Sequence, residues 1–425
     1  MKILLWHGYL LGGTGSNVYS RALARAWSKL GHDVVVFSQD PHPERVDLGG
    51  ATAVRPDIGA LLPVFVVDRY EDLEARRVQD ITWAEREHFV QANAAAIREH
   101  LPADVVFTNH LILGAPVGAA TGEPFGVKIH GSELTFSMVG NDELCRWGRE
   151  SLERCRLLVA GTEHIRRQTE AALGPGGYAE RIATIPPGVD VAQFVPASRD
   201  AALRALVAEA ERDPPNPPEA YDQRLPDPGN AERLAAFLEG DDPTVVFVGR
   251  ISREKGADVL VDALRRVDGR VRTVMVGWGD IREELEGETA GMRVLFTGAL
   301  EHRHLAHLWA LADVSVTPST APEAFGMVAA EAAACGAPPV VARQTGLAEV
   351  AEGLEAHYPS RLRHLASFEN GDAEQLAARL EEIIALSGDD RALLRDAARH
   401  AAVDLWSWER IAALILSAGW ETPSG

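Results

Sequence analysis

Short apolar runs alternate along the chain with longer segments whose apolar residues recur every three or four positions. Runs of this kind are typical of buried parallel strands, and the periodic segments are typical of the helices that cover such a sheet. In the first half, strands are predicted at 2–6, 33–37, 104–107, 125–129, 157–160 and 182–185. Helices are predicted between them, among others at 17–30, 79–100 and 142–154.

A second series of the same kind begins near residue 244. Its predicted strands are 244–248, 272–276, 293–296, 314–317 and 339–342, and its predicted helices are 256–267, 302–311 and 326–335. A helical stretch at 200–211 leads into 213–230, which is rich in Pro and Gly and is predicted to be a passive surface loop. The tail, 391–420, is predicted to be helical.

These patterns predict an α/β protein with two doubly wound, Rossmann-like domains, each built on a parallel sheet. The length of 425 residues agrees with this division, since domains average about 150 residues. The predicted domains are 1–190 and 191–402, the second with a Pro-rich insertion at 200–241. A tail helix, 403–425, can pack back on the first domain.

The charge balance narrows the range of partners. Lys and Arg number 42 against 62 for Asp and Glu, which gives a net charge of −20. A chain this acidic is not expected to capture nucleic acid electrostatically. It has three cysteines and no C-x-x-C pair, and no apolar run approaches the roughly 20 residues that span a bilayer. We therefore expect a cytoplasmic protein without a transmembrane segment, while peripheral membrane contact stays open.

A glycine-rich loop follows the first predicted strand and precedes a predicted helix. Gly12, Gly13, Thr14 and Gly15 would let the backbone approach a ligand closely, and the helix start offers N–H groups to an anion. The dinucleotide fingerprint G-x-G-x-x-G fails here, because its last position, counted from Gly13, holds Val18. Asp40, which lies beyond the second strand, does not restore the prediction of a dinucleotide site.

Two further loops follow strands of the second series. Arg250 and Lys255 lie after strand 244–248, where a bidentate guanidinium and a point charge suit a diphosphate; solvated loop charges are the alternative. Glu323 and Glu331 lie on either side of a predicted helix start after strand 314–317. Carboxylates at this edge of a sheet suit the hydroxyls of a sugar or ribose.

Together with other motifs, these loops occur in a recognisable order. The other motifs are His130-Gly131-Ser132-Glu133 and Pro187-Gly188-Val189-Asp190 with Phe194. The chain resembles the family-4 retaining glycosyltransferases of GT-B architecture over nearly its full length, apart from the insertion. The resemblance implies two domains that face each other across a cleft, with the acceptor side on the first and the sugar-nucleotide donor on the second.

The resemblance also implies roles for individual residues. The catalytic residues would be His130, which approaches the sugar from the first domain, with Glu323, Arg250 and Lys255. Arg250 and Lys255 would hold the diphosphate, Glu331 the ribose, and Glu323 the donor sugar. The remaining donor contacts would come from Gly13 and from the amides of Phe325, Gly326 and Met327. The base would lie among 276–279 and 296–298, and Thr162 and Arg166 are acceptor candidates.

The implied reaction moves a hexosyl group from a nucleoside-diphosphate sugar to an acceptor hydroxyl by same-face attack. It requires no cofactor and no metal, because Arg, Lys and helix dipoles neutralise the leaving diphosphate. A UDP-sugar is the favoured donor, with GDP- and ADP-sugars as alternatives. The acceptor is expected to be a soluble small molecule or a sugar.

Several alternatives stay open. A sugar-nucleotide epimerase shares the architecture, and a non-catalytic sensor would carry the same binding motifs. Where the family often has a Gly–Gly pair, this chain has Thr345-Gly346 followed by Glu349, which puts acceptor-side detail in doubt. The insertion is also not part of the family pattern, and contact with the acceptor or a partner is the alternative to a passive loop. A metal site is a minor alternative for His302, His304 and His307. His7 and His110 are either residues of the ligand site or structural histidines.

Overall fold

The computed structural model describes residues 1–13, 15–67, 70, 72–217, 222–267 and 270–420. Thr14 in the glycine-rich loop, 218–221 in the insertion and 421–425 of the tail lie outside these residues. The chain divides into two compact units, one of 1–188 with 408–425 and one of 189–407. The corresponding predicted boundary lies between residues 190 and 191.

The strands of unit 1 are β1 Lys2–Trp6, β2 Asp33–Phe37, β3 Thr52–Val54, β4 Leu61–Val64, β5 Glu74–Arg77, β6 Val105–Asn109, β7 Phe125–Lys128, β8 Cys155–Ala160 and β9 Ile182–Thr184. Seven of them form a parallel sheet of order β3-β2-β1-β6-β7-β8-β9, and β4 with β5 forms a separate parallel pair. The helices of unit 1 are α1 Gly15–Lys29, α2 Trp83–Arg98, α3 Leu111–Ala120, the single turn α4 Gly131–Glu133, α5 Asp142–Glu150 and α6 Glu163–Leu173.

The strands of unit 2 are β10 Thr244–Val248, β11 Arg272–Val276, β12 Val294–Phe296, β13 Val314–Thr317, β14 Pro339–Arg343 and β15 Ser367–Glu369. They form a six-stranded parallel sheet of order β12-β11-β10-β13-β14-β15. The helices of unit 2 are α7 Arg199–Ala210, α8 Asn230–Leu238, α9 Ala257–Leu264, α10 Arg282–Glu288, α11 His302–Leu311, α12 Met327–Ala334, α13 Thr345–His357, α14 Ala373–Ala385 and α15 Gly388–Trp406. A last helix, α16 Trp408–Gly419, belongs to unit 1.

The long apolar runs become central strands, as the pattern predicts. In unit 1, β1 and β6 pair in parallel, and every residue of β6 is buried. In unit 2, β10 lies between β11 and β13, and Val245, Val246 and Phe247 are buried. Because both faces of such a strand are covered, its sequence is continuously apolar. The carboxyl ends of these strands lead into the loops that carry the predicted site residues.

The tail is helical, as predicted for 391–420, but it divides at Ser407 into α15 and α16, so the helix that belongs to unit 1 begins at Trp408 and not at the predicted residue 403. Ser407 takes an extended conformation with φ −63° and ψ 139°, and this residue separates α15 from α16. Ser407 pairs with Val189, whose N–H donates to the Trp406 carbonyl at 2.6 Å. Helix α16 packs on α1 within unit 1, where the Trp27 indole donates to the Ala412 carbonyl at 3.0 Å. A backbone pairing, which leaves no Gly or Pro signal, therefore causes the break.

Candidate functional site

Lys255 is brought to Glu323 by a close approach of two loops in unit 2. The loop after β10 ends in the short 3-10 turn Arg253–Lys255, followed by Gly256 with φ +67°. A Cβ atom on Gly256 would lie 1.9 Å from the Pro318 carbonyl oxygen, so only glycine permits this contact. The Lys255 ammonium then pairs with the Glu323 carboxylate at 2.5 Å.

Further hydrogen bonds fix Glu323. The Ser319 hydroxyl donates to its Oε1 at 2.6 Å, and its backbone N–H donates to the Thr345 hydroxyl at 2.9 Å. Gly346 N–H donates to the Glu323 carbonyl at 3.1 Å. Thr345 and Gly346, which replace a Gly–Gly pair, thus hold the loop of Glu323 in place. Ser319 was not predicted as a contact of Glu323, because serines are common in loops. The sequence signal for it is its position four residues before Glu323.

Glu331 lies on α12 and is buried. Its carboxylate faces the His302 imidazole at 3.2 Å. Phe325 is buried just before the helix, and Gly326 caps it with φ +121°. The N–H groups at this helix start have no acceptor within the helix, so those of Gly326 and Met327 face the end where an anion would bind.

Two of the three clustered histidines of α11, His302 and His304, contact carboxylates of the protein. His302 contacts Glu331, and the ring of His304 contacts Asp213 at 2.9 Å. Across the described ranges, no group of three or more His, Cys, Asp or Glu side chains is arranged to hold a metal ion. The structure therefore gives no support to the metal alternative at His302, His304 and His307.

A cavity of about 380 Å³ opens at the ends of β10 and β11. Arg250 lines it together with Val276, Gly277 and Trp278, so the predicted phosphate and base segments share one surface. The second base segment lies beside the first, since Gly277 N–H donates to the Gly298 carbonyl at 2.8 Å. Gln223 and Arg224 of the Pro-rich insertion also line the cavity, which the prediction of a passive loop missed.

In unit 1, His130 belongs to a buried cluster of polar side chains. Its Nε2 contacts the Asn109 amide oxygen at 2.9 Å, and its ring lies 4.6 Å from that of His110. The carboxylate of Glu133 accepts from His130 N–H at 2.7 Å and from Leu111 N–H at 3.3 Å. It also contacts His110 Nδ1 at 3.2 Å. Glu133 thus organises the strand ends around His130.

Burial sets the protonation of this cluster. It lowers the pKa of His130 well below its usual range, and the neighbouring His110, Lys128 and His7 add to the effect. Burial likewise lowers the pKa of His7 to about 3, and that of Lys128 to about 7 although the Glu133 charge opposes this shift. His130 and His7 are therefore neutral imidazoles at neutral pH, suited to hydrogen bonding.

Gly13 is exposed and has φ +93° in the loop after β1. Asp40 ties this loop down, because its carboxylate accepts from Leu11 N–H at 2.9 Å and from His42 N–H at 2.9 Å. Asn17 at the start of α1 bridges the His7 ring at 2.8 Å and the Gly12 carbonyl at 2.6 Å. The structure therefore gives Asp40 a local structural contact.

The two acceptor candidates lie at the start of α6. Thr162 caps the helix, its hydroxyl accepting from Ile165 N–H at 3.3 Å. Arg166 pairs with Glu163 at 3.5 Å and with Glu170 at 3.2 Å on the same helix. Their place in the structure fits a capped helix with a half-exposed arginine, and their role toward an acceptor stays a prediction.

Comparisons with known proteins point to one family. Residues 13–193 match the model described as Glycosyltransferase Family 4, and residues 242–385 match the model described as Glycosyl transferases group 1. A D-inositol 3-phosphate glycosyltransferase of Xylanimonas cellulosilytica is 30% identical over 361 residues, which cover 79% of this chain and 77% of the relative. A GDP-mannose-dependent alpha-(1-6)-phosphatidylinositol dimannoside mannosyltransferase of Mycobacterium tuberculosis is 34% identical over 41% of this chain and 42% of its own.

Solved structures share the fold. HepE of Anabaena, crystallised with UDP and glucose, superposes with a TM-score of 0.66 at 18% identity, over 97% of this chain and 98% of that one. Sucrose-phosphate synthase from Thermosynechococcus elongatus gives 0.61 at 22% identity, over 97% of both chains. The matches favour a transferase and give no support to an epimerase. No helix among the described residues is long and apolar enough to cross a membrane.

Proposed function

The chain belongs to the family-4 glycosyltransferases, and we propose that it transfers a hexosyl group from a nucleoside-diphosphate sugar to an acceptor hydroxyl with retention. The contact between Lys255 and Glu323 carries this proposal. It joins the cation proposed for the diphosphate to the carboxylate proposed for the sugar. Arg250 in the adjoining cavity supplies the second cation, and Glu331 the contact to the ribose.

In the proposed reaction, the bond from the anomeric carbon to the diphosphate oxygen breaks while the acceptor oxygen bonds to that carbon on the same face. The acceptor proton passes to the leaving phosphate oxygen. Arg250, Lys255 and the N–H groups at the start of α12 stabilise the charge that develops there, so the scheme needs no metal and no cofactor. His130 and Gly13 of unit 1 complete the donor contacts, and the neutral His130 positions a sugar hydroxyl by hydrogen bonding.

Support for the substrate classes comes from the relatives. Their names include a GDP-mannose-dependent enzyme and transferases to D-inositol 3-phosphate, and the HepE structures hold UDP or UDP-glucose. We favour a UDP-sugar, with GDP- and ADP-sugars as the other candidates. The proposed acceptor is a soluble small molecule or a sugar, and Thr162 with Arg166 is the proposed contact on unit 1.

The first test is thermal unfolding with UDP-, GDP- and ADP-sugars in EDTA. A ligand that binds only the folded chain raises the melting temperature, so a rise with one donor and EDTA present is expected. Incubation with that donor and candidate acceptors should then release nucleoside diphosphate, and NMR of the product should show the retained anomeric configuration. Appearance of an epimer of the donor sugar, or an inverted product, would contradict the proposal.

Variants test the assigned roles. Arg250→Ala and Lys255→Ala should each weaken donor binding by about 2–5 kcal/mol, because a charged partner is lost. Glu323→Ala should lower turnover more than it weakens binding of the free nucleotide. Arg253→Ala is the matched control, since this cation of the same loop pairs with Asp258 and Glu284 instead. Normal turnover of Arg250→Ala and Lys255→Ala would refute the diphosphate assignment.

A further inference from the structure

The Pro- and Gly-rich loop of the insertion, 213–230, is held to the rest of unit 2 at both ends. At its start, Asp213 accepts from Arg303 at 2.5 Å and contacts the His304 ring at 2.9 Å. Near its end, Asp227 and Arg282 form a buried bidentate pair with distances of 3.1 and 2.6 Å. Buried pairs of this geometry hold their partners in one arrangement, unlike the loose charges of a passive loop.

Backbone contacts place the end of the insertion beside a predicted base segment. Asp227 N–H donates to the Thr297 carbonyl at 2.8 Å, and Ala299 N–H donates to the Leu225 carbonyl at 3.2 Å. Between these two bonds, Pro226 and Gly298 form an antiparallel bridge. The segment just before Leu225 is therefore held at the edge of the cavity.

Gln223 and Arg224 form that segment, and both line the cavity that Arg250 and Trp278 also line. Both side chains are exposed at its mouth, where they can reach a ligand. We propose that the described end of the insertion, 222–227, is a wall of the nucleotide pocket, where Gln223 contacts the base and Arg224 selects it. This inference rests on the proposed function, because it assumes that a nucleoside diphosphate occupies the cavity.

The chemistry of the wall favours a base with exocyclic carbonyl oxygens. A guanidinium offers donors only, and a Gln amide offers one donor group and one acceptor. Among the described residues that line the cavity, the Gln223 amide oxygen can accept from an exocyclic amino group, so Gln223 tolerates either kind of base and the donors of Arg224 carry the preference. Uracil and guanine present carbonyl oxygens that match these donors, whereas adenine presents an amino group at the corresponding position. Arg224 therefore favours uracil or guanine over adenine.

The anchors give this selection a physical basis. A loop already held in its binding conformation loses less freedom when the ligand arrives, so its hydrogen bonds count more fully toward affinity. If the insertion had a structural role alone, substitutions in it would change the stability of the chain but would leave the ratio of affinities for different bases unchanged.

Titration calorimetry with UDP, GDP and ADP tests the inference on the full chain. The wild-type protein should bind UDP or GDP about tenfold or more tightly than ADP, and Arg224→Ala should reduce that ratio by about fivefold or more through weaker binding of the favoured nucleotide, whereas Gln223→Ala should weaken binding of all three nucleotides alike. Arg212→Ala is the matched control, because this exposed arginine at the end of α7 bonds to Glu209 and does not line the cavity. Its affinity ratio should equal that of the wild type.

The outcomes separate the two proposals. Preference of the wild type for ADP, or a wild-type ratio in Arg224→Ala, would overturn the role of the insertion while leaving nucleotide binding intact. Failure of the wild type to bind any of the three diphosphates would overturn the proposed function, and the inference with it. A melting curve for each variant confirms that the comparison is made on folded protein.

Discussion

The two units differ in the burial of the lysine at a strand end: it is buried in unit 1 and half-exposed in unit 2. Lys128 ends β7 in unit 1 and is 3% exposed, with Glu133 as its opposing charge and the Tyr19 ring 5.3 Å from its ammonium. Lys255 follows β10 in unit 2, has 39% of its side chain exposed and contacts Glu323 directly. Buried polar groups must be satisfied within the fold, while exposed ones are free to exchange partners.

The two units therefore differ in what a substitution of these polar residues removes. In unit 1, a change at the polar cluster removes hydrogen bonds that the folded chain needs. In unit 2, a change at the cations removes contacts that a ligand would use, and water replaces them in the free protein. The three predictions below test this contrast, beginning with the largest expected effect on stability.

Glu133→Ala should be the most damaging change. It leaves the buried N–H groups of His130 and Leu111 without their acceptor, and each such loss costs about 1–3 kcal/mol, so the free energy of unfolding should fall by about 3 kcal/mol or more. Urea unfolding measures it. The matched change in unit 2, Lys255→Ala, should cost less than about 1 kcal/mol, because 39% of this side chain is exposed and Glu323 keeps its hydrogen bond from Ser319. Equal losses at the two positions would remove the contrast.

Lys128→Met should alter how stability depends on pH. The folded pKa of Lys128 is about 7, below its ordinary value of 10.5, so between these values the unfolded chain binds one more proton. Stability of the wild type should therefore rise with pH through this window, by up to about 1.4 kcal/mol per pH unit, and should fall as the pH drops toward 7. Lys128→Met lacks this contribution.

The difference between Lys128→Met and wild type is the quantity to measure, by urea unfolding at several pH values between about 7 and 10. Buried thiols such as Cys155 and Cys335, whose pKa values burial raises to about 12, affect both proteins alike and cancel. A difference that stays constant across the window would show that Lys128 titrates normally.

Arg253→Ala should have the smallest effect. Its side chain is 60% exposed, and its pairs with Asp258 and Glu284 lie at the surface. Exposed pairs contribute little, so the urea midpoint should match that of the wild type. A clear fall of the midpoint in the same urea titration would mean that the loop after β10 depends on this arginine for its fold.

Sequence patterns predicted most of the sheet framework. Strands 2–6, 33–37, 244–248, 272–276 and 314–317 have the predicted bounds, because central strands are continuously apolar. The short strands β3, β4, β5 and β15 were missed, since a run of three or four residues is too short to establish a pattern. The family and the fold, with its two Rossmann-like domains, are confirmed by the comparisons.

The positions of the candidate site residues could be predicted where they lie in loops after central strands. Lys255 and Glu323 stand 68 positions apart, and their meeting follows from the parallel order of β10 and β13. The contributions of Ser319, Asp227 and the insertion were not predictable, because they depend on contacts between loops. A Pro-rich segment excludes helix and central strand, but its composition does not say what the segment touches.

The position of α16 bears on how the chain folds during synthesis. Unit 2 is one continuous stretch and has all its residues once Ser407 has emerged from the ribosome. Unit 1 still lacks the helix whose Ile411, Ala412 and Ile415 join the core around Trp27. The part of the sheet face that α16 covers beside α1 therefore stays exposed until translation has passed α16, and an exposed apolar surface of this kind is what chaperones bind. A helix made after unit 2 thus completes the core of a unit that was begun before it.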